Sequence, residues 1–171
     1  MAESDDHMNK LSETAGEVPP LAFSALLLAS FHRLLGRSLV SEDLSVIAAA
    51  HWLYADAPFC VLAHNTAPDP CFIYANKAAQ ACFEYGWDKF TTLPSRLSAE
   101  APDRAERQSL LDRVTRDGFA TGYAGTRISG SGRRFRIEEG IVWQIKDDEG
   151  HLRGQGAMFP HWQDLPPDKA E

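Results

Sequence analysis

Glu139 is the residue whose type and position hold most chemical promise. Strict alternation along Arg133–Lys146 places Phe135, Ile137, Ile141, Trp143 and Ile145 on one face of a strand with Glu139 in their midst. A carboxylate among apolar side chains is costly unless it is paired or protonated. Three readings stand side by side: a ligand-facing acid whose pKa is raised by burial, a pair with Arg127, or a bulge at Glu139-Gly140 that turns the side chain out. The same count sends Arg134, Arg136 and Glu138 to the opposite face as a charge ladder. Trp143 is core, or a surface on which a ring stacks.

Elsewhere the chemistry thins. The sequence has no nucleophile–base–acid order, no glycine-rich phosphate loop between a strand and a helix, and no paired His or carboxylate spacing on one helix. Gly130-Ser131-Gly132 precedes a strand and reads as a turn. Cys60, Cys71 and Cys82 are odd in number and too widely spaced for a CxxC site, so they read as buried free thiols. His51, His64, His151 and His161 fall on a helix, a strand edge, a turn and the C-terminal segment, where solvated or capping roles account for them. No metal site and no catalytic residue is expected.

The elements that must position these residues follow from periodicity. Apolar residues recur at helical spacing from Leu21 to Leu35, with Pro20 suited to the first turn and Gly36 to the stop. This helix carries more apolar residues than a lone surface helix needs, so it packs on its own sheet or on a second copy; a homodimer is the favoured expectation. Ser41 offers an N-cap for a second helix running to about Tyr54. Phe59–His64 and Cys71–Ala75 read as a hairpin, Asn76 caps an alanine-rich helix over Lys77–Glu84, and Trp87–Leu93 makes a further turn. Asp103–Asp117 is a charged helix lying on a sheet, and Tyr123–Ser129, Arg133–Lys146 and Leu152–Phe159 are three strands.

The chain has 171 residues, with 17 Lys+Arg against 24 Asp+Glu. That size suits one domain. Residues 1–20 hold five acids and one base and read as a disordered acidic tail, and residues 160–171 hold three acids and one base and read as a flexible tail. The acidity therefore sits in the tails, and residues 21–159 are nearly neutral. Nucleic acid is not an expected partner of so acidic a chain. The apolar run Leu21–Phe31 is eleven residues long, against about twenty for a span. It is preceded by acids rather than bases, so neither a membrane anchor nor a signal peptide is expected and the protein reads as cytoplasmic.

The string FIYANKAAQACFEYGWDKF (Phe72–Phe90) resembles the signature of PAS domains. More narrowly, LPSR (Leu93–Arg96), GRRFRIEEGIVWQI (Gly132–Ile145) and FPHW (Phe159–Trp162) resemble the MEKHLA family, a PAS-related group of small bacterial proteins and of C-terminal domains in plant class III homeodomain-leucine zipper factors. The resemblance implies an α+β, PAS-like fold over residues 56–159: a five-stranded antiparallel sheet flanked by short helices, with an N-terminal helical extension at 21–55. It implies a non-catalytic sensory or interaction module holding a small molecule between sheet and helices. The DNA-binding role of the plant relatives is not implied, because no homeodomain or zipper is present.

On that fold the pocket candidates are Tyr74, Arg96, Tyr123, Arg127, Glu139, Trp143 and Gln155, with Arg96 placed at a pocket mouth or paired with Glu100 or Asp103. Haem is disfavoured, because Asn76–Asp117 contains no His to ligate it. A photoadduct flavin is disfavoured, because the Leu93–Arg96 segment has no Cys. Two alternatives remain open: a small cone-shaped α+β enzyme using Glu139, Arg127 and Tyr123 or His64, and a structural partner protein with no cavity.

Overall fold

A computed structural model of the chain describes residues 19–99 and 101–167, with the side chains of 101–104 left out. The expected acidic tail at 1–20 lies outside the described residues except for Pro19 and Pro20. Helix α1 spans Leu21–Leu35 and ends on Gly36, whose left-handed φ of 71° lets its N–H reach the His32 carbonyl. Helix α2 spans Val46–Ala55, and its cap is Ser45, whose Oγ accepts from the Ala48 N–H at 3.2 Å. Ser41, the expected cap, instead closes a turn of its own, its carbonyl accepting from the Leu44 N–H. That turn takes up the residues that would have been the first helical turn.

Strands β1 (Cys60–His64) and β2 (Phe72–Ala75) form the first hairpin, followed by α3 (Lys77–Phe83), α4 (Trp87–Phe90), a 3-10 turn at Ser95–Ser98 and α5 (Ala101–Asp117). Strands β3 (Phe119–Ile128), β4 (Arg134–Lys146), β5 (Leu152–Phe159) and β6 (His161–Asp164) complete the chain. The strand order is β2-β1-β5-β4-β3, with β6 beside β4, and every pairing is antiparallel.

The sixth strand corrects the expectation of a flexible segment at 160–171. Strand β5 pairs with β4 from Ile141 to Lys146, which leaves the first half of β4 with an open edge. Past Pro160, which has no N–H to give the ladder, the chain continues along the same edge in the same register, Glu138 opposite His161 through Phe135 opposite Asp164. Asp164 pairs with Arg133, and the Trp162 ring meets Phe159 edge-on at 5.9 Å between centroids.

A second correction concerns β4 itself. The single residue Ala124 of β3 faces both Glu138 and Glu139 of β4, a bulge in which Glu139 takes a φ of 55°. A compensating bulge around Gly122, at φ 67°, sits between Ala120 and Tyr123 on β3. The extra residue reverses the alternation. Phe135 and Ile137 point to the inner face, under α3 and α5, whereas Ile141, Trp143 and Ile145 point to the outer face, under α1. Glu139 falls at the switch and leaves the core.

Both sheet faces are thus covered. On the outer face Leu27 and Phe31 of α1 are fully buried, and the Phe31 ring meets Trp143 edge-on at 5.0 Å. The Trp143 indole donates to the Leu27 carbonyl at 3.2 Å. Ser30 both donates to the Lys146 carbonyl and accepts from its N–H, joining the helix to the end of β4. Of the helix's apolar residues, Leu27 and Phe31 are buried on the chain's own sheet, Phe23, Leu26, Leu28, Leu34 and Leu35 are half-buried, and Leu21 is exposed.

Asn76 joins four elements. Its Oδ1 accepts from the Val61 N–H of β1 and the Ala79 N–H of α3, each at 3.0 Å, and its Nδ2 donates to the Leu53 and Phe59 carbonyls at 3.0 and 2.9 Å. The side chain is wholly buried. Replacing it with Ala removes a helix cap and strands four backbone groups, so Asn76→Ala is expected to cost about 2–4 kcal/mol in urea unfolding. Asn76→Asp keeps the acceptor but opposes the Leu53 and Phe59 carbonyls with oxygen, and its midpoint falls as well. An unchanged midpoint in Asn76→Ala would refute this account.

Candidate ligand-binding cavity

The inner face of the sheet, the 3-10 turn and α5 enclose a cavity that leaves about 60 Å³ open to the centres of water-sized molecules. Against ~150 Å³ for an apolar cavity that takes up benzene, that is room for a molecule of only a few atoms. Its walls are mostly apolar, with Leu62, Phe72, Phe83, Leu110, Ile137 and Phe159 prominent. The polar groups on them come from five elements, β1, β3, β5, α5 and the 3-10 turn.

Strand β3 supplies Tyr123 and Arg127, which share the inner face with Gly125 between them at two-residue spacing. A Cβ on Gly125 would lie 2.7 Å from the Tyr123 hydroxyl, so the glycine makes the room in which the ring lies back along its own strand. There the hydroxyl accepts a hydrogen bond from Arg127, whose guanidinium also covers the Tyr123 ring at 5.2 Å and donates to the Thr126 carbonyl at 3.2 Å. Arg127 is 7% exposed. It makes no ion pair among the described residues, although burying an unpaired cation costs several kcal/mol where a ring contact returns about 0.5–2. Burial raises the Tyr123 pKa, against the pull of Arg127, so the phenol is neutral.

Strand β1 supplies His64 at the other end. Register sets Tyr123 opposite Gly140, and Gln155 opposite both Gln144 and His64. Four residues of β4 at about 3.3 Å each separate the two ends along the strand. His64 Nδ1 lies 2.8 Å from the Asn65 carbonyl, which can only accept, so Nδ1 carries the proton and Nε2 is a bare acceptor. Nε2 is buried with no hydrogen-bond partner among the described residues. Helix α5 supplies Arg107, which donates to Ser95 Oγ in the 3-10 turn. No carboxylate lines the cavity among the described residues.

Of the residues expected at a pocket, Tyr123, Arg127 and Gln155 line this cavity. The other four do not. Tyr74 is buried on the outer face against Phe23, Tyr54 and Trp87, because a bulge at β1–β2 gives Phe72 and Tyr74 opposite faces. Its hydroxyl lacks a hydrogen-bond partner among the described residues, and burial raises its pKa. Arg96 is on the surface, paired with Asp69 at 3.1 Å; Glu100 and the Asp103 side chain lie outside the described residues. Trp143 is on the outer face. Glu139 is 74% exposed, 3.6 Å from His161. The acid that an enzyme would use with Arg127, Tyr123 and His64 therefore stands outside their cavity.

His64, Arg107 and Ser95 were not among the pocket candidates. His64 follows Leu62 by two residues and so shares its face. Arg107 precedes Leu110, Leu111 and Val114 by three, four and seven, on the helix stripe facing the sheet. The space is far too small for a haem or an isoalloxazine ring. Cys60 and Cys82 are buried free thiols and Cys71 is half-buried. The described residues hold no cluster of three His, Cys, Asp or Glu suited to a metal, and no helix among them is long and apolar enough to cross a membrane.

Residues 21–164 match the model of the MEKHLA domain family. No curated protein matches the chain. Among solved structures, the PAS domain of a Colwellia psychrerythraea protein superposes with a TM-score of 0.58 at 13% identity, over 71% of this chain and 98% of that one. A PAS domain from a two-component sensor histidine kinase gives 0.52 at 20% identity, over 68% and 93%. An RNA-binding light-oxygen-voltage receptor gives 0.57 at 17% identity, over 75% of this chain and 35% of that one. At these identities the likeness is one of fold.

Burial lowers the His64 pKa below its ordinary 6.5, and the field of Arg107 adds to this against the hydrogen bond to Asn65. The folded chain then binds this proton less readily than the unfolded chain. The stability tied to neutral His64 is complete above the unfolded value and falls away as pH drops from there through the lower folded value. Thermal midpoints from about pH 8 to about pH 5 check this, with wild type expected to lose more than His64→Gln. Parallel curves would show that His64 is not the titrating group.

Proposed function

The chain belongs to the MEKHLA domain family, and on that footing we propose a non-catalytic sensory or protein-interaction module whose input is a small molecule held between the sheet and α5. Domains of the PAS kind are generally sensory, and one of the solved relatives comes from a sensor histidine kinase. The observation that carries the proposal is the polar equipment inside the cavity. A purely structural core has no use for a buried arginine without an acid, a tyrosine hydroxyl turned toward it and an imidazole nitrogen without a partner.

The output is α1. Val142 lines the cavity and its neighbour Trp143 holds α1 from the opposite face, so a shift of β4 that accommodates a ligand is felt at the Leu27 and Ser30 contacts. The unpaired thiols agree with a reducing compartment, and the cytoplasm is the proposed location.

Native mass spectrometry of the full chain, purified from its own host, tests the ligand. The expected spectrum shows the chain plus one small molecule, lost on denaturation. Ala157→Leu fills the cavity from β5 and is expected to carry none. A bare chain from that host would overturn the proposal.

A further inference from the structure

We propose that the molecule held in the cavity is a small organic carboxylate, its acid group bound by Arg127 and Tyr123 and its apolar body lying among Leu62, Leu110, Ile137 and Phe159. This deepens the cavity reading above and rests on it, adding the charge of the ligand. The guanidinium of Arg127 has five N–H donors in a planar fork. One goes to the Thr126 carbonyl and one to the Tyr123 hydroxyl, and the others have no partner among the described residues. The Tyr123 oxygen accepts from Arg127, so its own proton is left to point elsewhere, and it too has no acceptor among the described residues. What β3 presents to the cavity is therefore a set of donors around a buried positive charge.

Several arginines elsewhere are paired with acids. Arg96 has Asp69, Arg133 has Asp164 and Glu84, Arg153 has Asp147, and Arg116 has Asp117. Each of those acids stands at the surface or beside a partly exposed arginine, where the pair matters least. Arg127 is the more buried side chain, yet it has a tyrosine in place of an acid. A neutral guest would leave that charge uncompensated, and a cation would be repelled. A carboxylate matches the fork in shape and sign. The free space of about 60 Å³, against ~150 Å³ for an apolar cavity that takes up benzene, limits the guest to a short-chain acid. Gly125 fits the same account, for any side chain there would push the Tyr123 hydroxyl away from Arg127.

The test uses two short-chain probes of equal size that differ in charge, propionate and propionamide, titrated into the full chain by calorimetry. The Arg127 Nε–H resonance is followed in parallel by NMR. The acid is expected to bind about tenfold or more tighter than the amide and to shift the Arg127 signal. That preference is expected to vanish in Arg127→Met and to survive in part in Arg127→Lys. Should Arg127→Met fail to fold, Tyr123→Phe serves, with a smaller loss of the preference. Equal binding of acid and amide, or a preference unchanged in the variants, overturns the carboxylate assignment and leaves the cavity reading standing. If neither probe binds, the molecule found by native mass spectrometry decides: an acid supports the assignment, a neutral or basic molecule refutes it, and no molecule refutes the cavity reading as well.

Discussion

The buried amide of Asn76 is the contact on which most of the architecture hangs. A primary amide offers an acceptor and two donors on one rigid group, and here each goes to a different piece of chain. The oxygen starts α3 and holds β1, while the nitrogen holds the end of α2 and the loop leading into β1. Together these fix how far the first hairpin stands from the helices on either side of it. Gln80, one turn later on α3, repeats the logic by donating to the Ala75 carbonyl and the Tyr54 hydroxyl. A polar network of this kind allows only one arrangement of its members, where apolar contacts alone tolerate sliding. The short, small-sided α3 depends on it, since seven residues would not be helical in isolation.

The second constraint is geometric and lies in β4. A strand of thirteen residues in a twisted sheet would carry one side-chain set along one face for its whole length. The bulge at Glu138-Glu139 divides it. Its first half is paired with β6 and β3 and shows Arg134, Arg136 and Glu138 on the outer surface, beyond the reach of α1. Its second half is paired with β5 and β3 and carries Ile141, Trp143 and Ile145 on the face under α1, with Val142 and Gln144 on the other. Strands β5 and β6 lie in one register on the same edge of β4, interrupted only at Pro160 opposite the bulge.

Much of this was legible beforehand, and the failures share a cause. The helices, the capping role of Asn76, the hairpin and the strand order of the carboxyl-terminal half follow from local signals: caps, glycine stops and apolar spacing. The misplaced residues, Glu139, Trp143 and Tyr74, all depend on counting by twos through a bulge, where one extra residue reverses every later assignment. The warning was present in Glu138-Glu139, two adjacent charges in a strand otherwise alternating. The strand at His161–Asp164 was missed for another reason. It continues β5 in register beyond Pro160, and the proline, which breaks the ladder, reads as the end of the strand. Of the cavity, β3 was readable through its two-residue spacing. Arg107 and His64 lay on apolar stripes but were judged by residue type, which hid their direction.

The placement of the polar groups bears on how occupancy would be felt outside. Strand β5 has almost no side chain where it crosses the sheet centre, with Gly154, Gly156 and Ala157 in succession around Gln155. A Cβ at Gly156 would stand 2.8 Å from the Trp143 ring, and one at Gly154 would stand 2.5 Å from the His64 carbonyl. The backbone of β5 is therefore in direct contact with the residue that holds α1 on one side and with the His64 end of the cavity on the other. Side chains can change rotamer to absorb a guest, whereas a glycine strand held between two rigid groups has no such freedom. Displacement of β5 at the cavity is thus passed to Trp143 through backbone and ring alone, and from Trp143 to the Leu27 carbonyl in α1. The missing side chains on the Trp143 face of β5 let its backbone press directly on the ring that holds α1, which makes the sheet a stiff link to the helix above it.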